Sequence, residues 1–263
     1  MNAIKKFWSN YSPHNLHPED LEYLGEKFSK YCLDYGVDQM KDRYGDNLYS
    51  SQANEKFDKD TKKHNKIFSK LYPVPFFGDI MNAKVYILSG NPGFKPFNFI
   101  EDYQNDVLIK LLKRNLNLEF LDSPFNIEKT LDSTGGYGYW KPIYDKFVKE
   151  VSKKSSSNLE KIEEYVHRNV AVIESVAYHS KSSPLPVLFK LPSSQLNKRF
   201  VHDYVLERVS ANQAMIFVWR GSSHWELDAN QENIIVKPYP RFKINNEEIS
   251  DISDFLASKH QPL

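Results

Sequence analysis

Four short apolar runs, each closing on polar or turn-forming residues, organise this sequence. The first is Lys84-Val85-Tyr86-Ile87-Leu88-Ser89, which runs into Gly90-Asn91-Pro92-Gly93-Phe94. The second is Asn169–Val176, with Glu174 at the end of an otherwise apolar stretch. Ala214–Gly221 and Asn233–Lys237 are the third and fourth, and the last stops at Pro238-Tyr239-Pro240. Runs of this length, rich in β-branched and aromatic residues and bounded by Gly and Pro, predict buried strands. Helical spacing is expected between them. Tyr103–Asn115 sets Val107, Leu108, Leu111 and Leu112 on one side, and Lys141–Val151 and Ser193–Ser210 also read as helices. Strands that alternate with helices and are apolar on both faces predict an α/β fold with a parallel central sheet of about four strands.

Upstream of the first strand the pattern changes. Residues 1–72 are polar and charged, with one clear helical period in Pro18–Tyr35, where Leu21, Leu24, Phe28, Tyr31 and Cys32 share a face. Asp34–Asp60 shows no clear period. The expected organisation is a helical N-terminal extension over 1–72 and an α/β domain over 73–263. Tyr72–Asp79 is a proline-rich approach to the first strand. Asp132–Trp140, with Gly135, Gly136 and Gly138 among aromatics, reads as a flexible loop, either a simple turn or a mobile wall of a pocket. Ser152–Asn158 is a surface connection.

Composition narrows the chemistry. The lone cysteine, Cys32, rules out an intrachain disulfide, an iron–sulfur cluster and a multi-cysteine zinc site. No ligand set converges on His224-Trp225, so no metal and no cofactor are expected. Met1–Tyr11 has no apolar core of a signal peptide, and no run approaches a membrane span, which suggests a cytoplasmic protein. The net charge of +1 leaves a nucleic-acid partner to local charge. From Lys181 to Lys243 there are nine Lys/Arg against five Asp/Glu, enough for a modest phosphate-binding face. Lys62, Lys63, Lys66 and Lys70 are further basic positions, either phosphate contacts or solvated surface.

In an open α/β sheet, ligands bind in the loops beyond the strands' carboxyl ends. Asn91 is therefore the first residue to suspect of chemistry, although Asn-Pro-Gly is also ordinary turn composition. Phe94, Phe97 and Phe99 follow it closely. No dinucleotide fingerprint or phosphate-loop lysine motif is present.

Taken in order, the four strand ends resemble the uracil-DNA glycosylase superfamily over roughly residues 75–243. Gly90-Asn91-Pro92-Gly93 is similar to the first motif of that family, in the Asn-Pro-Gly version of its mismatch-specific and single-strand-selective branches. Glu174 stands where the family has a base-reading Asn. Trp219-Arg220-Gly221 resembles the Trp-Gly pair that ends the third strand. Lys237-Pro238-Tyr239-Pro240-Arg241-Phe242 occupies the place of the His-Pro-Ser-Pro motif and its wedge residue, with lysine instead of histidine. The resemblance implies an α/β/α glycosylase fold, a DNA partner, and a target base flipped out of the stack into a pocket.

It also implies roles. Asn91 would hold the attacking water, and Gly90, Pro92, Gly93, Phe94, Phe97 and Phe99 would surround the base. Lys237 would stabilise negative charge on the leaving base, unless it is a strand-end lysine in water. Tyr239, Arg241 and Phe242 would enter the gap left by the base. Ser180 and Lys181 would contact DNA, and His179 would contact substrate or phosphate or do neither. A carboxyl at 174 accepts from the cytosine amino group. Burial favours its protonated form, which donates to N3; a buried ion pair is the competing explanation. The family's C5-excluding branches carry a bulky Tyr after the proline, whereas Gly93 leaves that side open. The expectation is a DNA glycosylase acting on a C5-modified cytosine, hydroxymethylated or glucosylated as in bacteriophage DNA. The alternatives are a uracil, thymine or hydroxymethyluracil repair enzyme and a non-catalytic nucleic-acid-binding module.

Overall fold

The computed structural model describes residues 2–61, 65–120, 123–182, 185–236 and 244–260. The chain forms two units. One comprises Met1–Pro75, Gly90–Asn117 and Glu174–Asn197; the other comprises Phe76–Ser89, Leu118–Ile173 and Lys198–Leu263.

The first unit is mainly helical, with a small parallel pairing of β1 (Cys32–Leu33) and β2 (Ile67–Phe68). The helix expected over Pro18–Tyr35 is broken. Pro18–Leu24 ends at Gly25, whose φ of 47° needs no Cβ, and Phe28–Tyr31 is a single turn before β1. Leu24 and Cys32 reach the core beside Ile67, Val176 and Tyr178, but Leu21 is 44% exposed and faces outward. The stretch without visible period contains two helices, Val37–Tyr44 and Ser51–Thr61. Their Met40, Tyr44, Ala53 and Phe57 pack with Phe68, Leu71 and Phe94. Tyr103–Asn115 resolves into Asn98–Gln104 and Asp106–Leu116, with Asn105 capping the second through Leu108 N–H. Leu108, Leu111 and Leu112 are buried, while Val107 is exposed. Asp20 is buried, and among the described residues no salt bridge reaches it. It accepts from the Tyr178 hydroxyl at 2.6 Å and from the N–H of Ser193 at 2.9 Å, so a carboxylate ties the Pro18–Leu24 helix to the start of Pro192–Phe200.

The second unit holds the central sheet. All four expected strands are present, as β4 (Val85–Ser89), β5 (Val170–Glu174), β6 (Met215–Val218) and β7 (Ile234–Val236). A fifth, β3 (Phe76–Phe77), lies in the stretch expected only as an approach, and it pairs antiparallel with β5 (Phe76 opposite Ile173). Strand order is β3-β5-β4-β6-β7, with β4, β6 and β7 parallel. β5 runs alongside β4, where the Lys84 N–H meets the Asn169 carbonyl at 2.9 Å. Every residue of β4, β5 and β6 is buried, which is why these strands read as unbroken apolar runs. Gly78 allows the turn into β4. Its φ is 82°, and a Cβ there would lie 2.7 Å from the Val170 carbonyl oxygen.

The glycine-rich stretch expected as a loop is the beginning of an 18-residue helix, Gly135–Ser152. Thr134 caps it, accepting from the Tyr137 N–H at 3.3 Å. None of its glycines has a positive φ, so the composition that suggests a loop is housed in helical backbone. The Tyr144 hydroxyl donates to the Val170 carbonyl at 3.0 Å and fastens the helix to the sheet. No helix among the described residues is long and apolar enough to cross a membrane.

Candidate functional site

The chain leaves β4 through Gly90-Asn91-Pro92-Gly93, and its hydrogen bonds define how that turn is held. The Gly90 carbonyl accepts from the Ser175 hydroxyl at 2.5 Å and from the Val176 N–H at 2.9 Å. Two residues on, the Pro92 carbonyl accepts from the Ser180 N–H at 3.3 Å. The segment after β5 therefore runs beside the turn after β4. Asn91 and Glu174 each adjoin a member of that contact, since Asn91 follows Gly90 and Glu174 precedes Ser175.

Asn91 is buried, and its carboxamide has one allowed orientation. The amide nitrogen donates to the Pro92 carbonyl (2.8 Å), the Ser180 carbonyl (3.0 Å) and the Ser180 hydroxyl oxygen (2.9 Å). The Ser180 hydroxyl has a single proton, and that proton goes to the Ser182 carbonyl at 2.6 Å. Its oxygen is therefore an acceptor toward Asn91. Three acceptors surround the position, so the NH₂ must occupy it and the amide oxygen must face the other way. Among the described residues no donor reaches that oxygen. The result is a fixed hydrogen-bond acceptor at the carboxyl end of β4.

Gly93 has neither of the usual structural reasons to be glycine. Its φ is not positive, and a Cβ would meet nothing within 4 Å. Its carbonyl accepts from His179 Nδ1 at 2.7 Å, which places the ring proton on Nδ1. Burial lowers the His179 pKa from its ordinary 6.5, against the upward pull of the Gly93 and Tyr72 carbonyls. His179 thus braces the turn. Phe94 is occupied by the core: its ring stacks on Phe68 at 3.9 Å and meets Phe57 at 5.0 Å, so it anchors the turn from behind. Phe97 is half-buried and lies parallel to the exposed ring of Tyr49 at 5.5 Å. Phe99 belongs to the Asn98–Gln104 helix, but its side chain lies outside the described residues.

Glu174 is buried at the last position of β5. Its N–H donates to the Pro75 carbonyl at 2.9 Å, and its own carbonyl accepts from Asn197 Nδ2 at 2.9 Å. Asn197 also donates to the Pro75 carbonyl at 3.0 Å, tying a helix to the strand end. Nothing in the sequence distinguishes Asn197 from a surface asparagine; only its inward position on the helix reveals the role. Ser175 had a visible signal, a hydroxyl directly after the buried carboxyl.

The expected DNA contacts divide. Ser180 is turned toward Asn91, as above. Lys181 pairs with Asp58 at 2.6 Å and lies over the Phe57 ring. Lys66 donates to the Ser29 carbonyl, and Lys70 pairs with Asp34 at 3.2 Å. Lys62, Lys63, Lys237, Tyr239, Arg241 and Phe242 lie outside the described residues. In the second unit, the strand expected over Ala214–Gly221 ends at Val218, so Trp219, Arg220 and Gly221 lie beyond β6, and His224 and Trp225 are buried in the short Ser222–Trp225 helix. The described residues include no group of three or more His, Cys, Asp or Glu side chains that could hold a metal ion.

Comparison with family models, curated proteins and solved structures found no match to this chain. A buried acceptor with fixed direction can orient a water molecule. A carboxyl enclosed at the end of the neighbouring strand can read a hydrogen-bonding edge. The turn between them is braced from three sides, by Ser175, His179 and Phe94.

Proposed function

We propose that this protein is a monofunctional DNA glycosylase that hydrolyses the N-glycosidic bond of a C5-modified cytosine and leaves an abasic site. The observation that carries the reading is the orientation of Asn91. Its amide nitrogen is committed to Pro92 and Ser180, so its oxygen is the atom available to a water. In this mechanism Asn91 Oδ1 accepts a hydrogen bond from water and directs its oxygen at C1′ as the glycosidic bond breaks. The bonding pair leaves with the base, and the sugar passes through an oxocarbenium-like state. An amide is too weak a base to take the proton outright, so the work of this residue is positioning, and the proton released once the C1′–O bond has formed passes to solvent. The base departs more readily if a protonated Glu174 donates to N3 while its other oxygen accepts from the amino group at C4. Gly93 supports a substituted base, because neither backbone strain nor packing demands glycine there. The motif order shared with uracil-DNA glycosylases supports the reaction class.

The test uses duplexes and single strands carrying one uracil, cytosine, hydroxymethylcytosine or glucosylated hydroxymethylcytosine, with alkaline cleavage to reveal abasic sites. Release of a modified cytosine, abolished by Asn91→Ala with DNA binding retained, is the expected result. Release of uracil alone would remove the argument from Glu174. DNA binding with no release of any base would favour a non-catalytic binding module.

A further inference from the structure

The chain beyond Asn91 carries a surface, wholly within the first unit, that the proposed reaction leaves unused. From Gly93 to Phe97 burial alternates. Gly93 and Lys95 are exposed and Phe97 is half-buried, while Phe94 and Pro96 are buried. A turn fixes the far end of the segment. The Lys95 carbonyl accepts from the Asn98 N–H at 3.0 Å, and the Lys95 N–H donates to Asn98 Oδ1 at 2.7 Å. Phe97 therefore has a set position, at most about 14 Å along the chain from Gly93.

The ring that meets Phe97 comes from a distant part of the sequence. Tyr49 lies parallel to it, with 5.5 Å between ring centres. The Tyr49 backbone is held: its N–H donates to Asn47 Oδ1 at 3.1 Å, and Leu48 before it is buried in the same core cluster as Phe94, the ring behind the Asn91 turn. Yet the Tyr49 side chain is 54% exposed, more than any other Phe, Tyr or Trp among the described residues. Phe97 is its one ring partner there, and its hydroxyl has no hydrogen-bond partner. One face is thus backed by a ring, and the exposed area belongs to the other face and the edge. Burial and, after it, the Glu101 carboxylate raise the Tyr49 pKa, so the ring stays uncharged; Glu101 itself is buried.

A cation stands beside this pair. Of the lysines packed around the turn, Lys181 pairs with Asp58, Lys70 pairs with Asp34, and Lys66 donates to the Ser29 carbonyl. Lys95, between Gly93 and Phe97, has no carboxylate partner among the described residues. Proteins that bind single strands without reading sequence combine these two parts, an aromatic face for a base and a positive charge for the backbone. A ring already held parallel by a second ring suits a third flat ring. A base inside a duplex has both faces covered by its neighbours and cannot use such a platform.

We propose that Tyr49, backed by Phe97, is a stacking platform for an unpaired base neighbouring the target, with Lys95 on the adjoining phosphate, so that the protein takes single-stranded DNA in preference to duplex. The choice of DNA as occupant rests on the glycosylase reading above.

The test is fluorescence anisotropy of the full chain with a short labelled single strand of unmodified sequence, its duplex, and a strand of equal length built of abasic sites. Tyr49→Ala is expected to weaken single-strand binding about fivefold or more, and Tyr49→Phe to leave it unchanged. Neither should alter binding of the abasic strand, which has phosphates and no bases. Lys95→Gln should reduce the slope of log affinity against log salt by about 0.7. Both positions are exposed, and urea unfolding checks that the variants fold. Equal or tighter binding of duplex, affinity indifferent to Tyr49→Ala, or an equal loss with the abasic strand would overturn the inference. So would self-association in sedimentation that Tyr49→Ala abolishes, because a second copy would then cover the ring. Single strands bound through Tyr49 by a protein that releases no base would support the platform and count against the glycosylase reading. Base release with binding indifferent to Tyr49→Ala would do the reverse, so the two fail separately.

Discussion

At the scale of single residues, the surroundings of Asn91 determine what can replace it. A carboxylate is the stronger base, so Asn91→Asp looks favourable for activating water. Here it would face the carbonyls of Pro92 and Ser180 and an acceptor hydroxyl, with no proton to give them. The expected outcome is a loss of about 1–3 kcal/mol in urea unfolding, with no gain in activity. Gly93→Ala is the opposite case. Its Cβ enters open space, so stability should hold or rise by up to about 1 kcal/mol. Excision of a bulky C5-modified base should fall relative to the unmodified one; an unchanged ratio would separate Gly93 from specificity. Of this arrangement Asn91 and Glu174 are legible in the sequence, Asn91 because it lies in the turn beyond a strand and Glu174 because it ends an apolar run. The roles of Ser180 and Asn197 leave no local mark in the sequence, because their partners are distant, Ser180 lying 89 positions from Asn91.

At the scale of elements, the Gly135–Ser152 helix shows how composition and context compete. Three glycines favour a loop, while a Thr134 cap and the burial of Trp140, Tyr144 and Phe147 favour a helix. Packing outweighs propensity here, since glycine costs only about 1 kcal/mol per position. Thr134→Ala should lower stability by about 1 kcal/mol, and Gly138→Ala should raise it by a similar amount, both read from chemical denaturation. The strands are plainer in the sequence. β4, β5 and β6 are buried on both faces, so their apolar runs have no rival explanation. β3 has two residues and was hidden in a proline-rich approach.

For the molecule as a whole, the buried titratable groups set a pH profile. Burial lowers the pKa values of His14, His167 and His179 below 6.5. A depressed pKa contributes stability above the unfolded value, lost as pH falls through the folded one. Asp20 has the opposite sign. Burial raises its pKa above 3.8, so its contribution is present below that value and is lost as pH rises through the folded pKa. Between about pH 4 and 7 the two effects oppose each other. Asp20→Asn removes one of them, so its urea-unfolding free energy should climb more steeply with pH across this window than that of the unaltered protein. Parallel profiles would show that Asp20 keeps its ordinary pKa.

The α/β class, the four principal strands and the two residues at their ends that invite chemistry are legible in the residue pattern alone. Those properties come from local pattern, since burial on both faces leaves its mark residue by residue. Only the folded chain sets which way the Asn91 amide points, that His179 and Phe94 brace the turn, and that Lys181 has an acidic partner. Each of these depends on groups brought together from separate parts of the chain. A hydrogen bond has a direction only when both partners are in place, and the sequence supplies them one at a time.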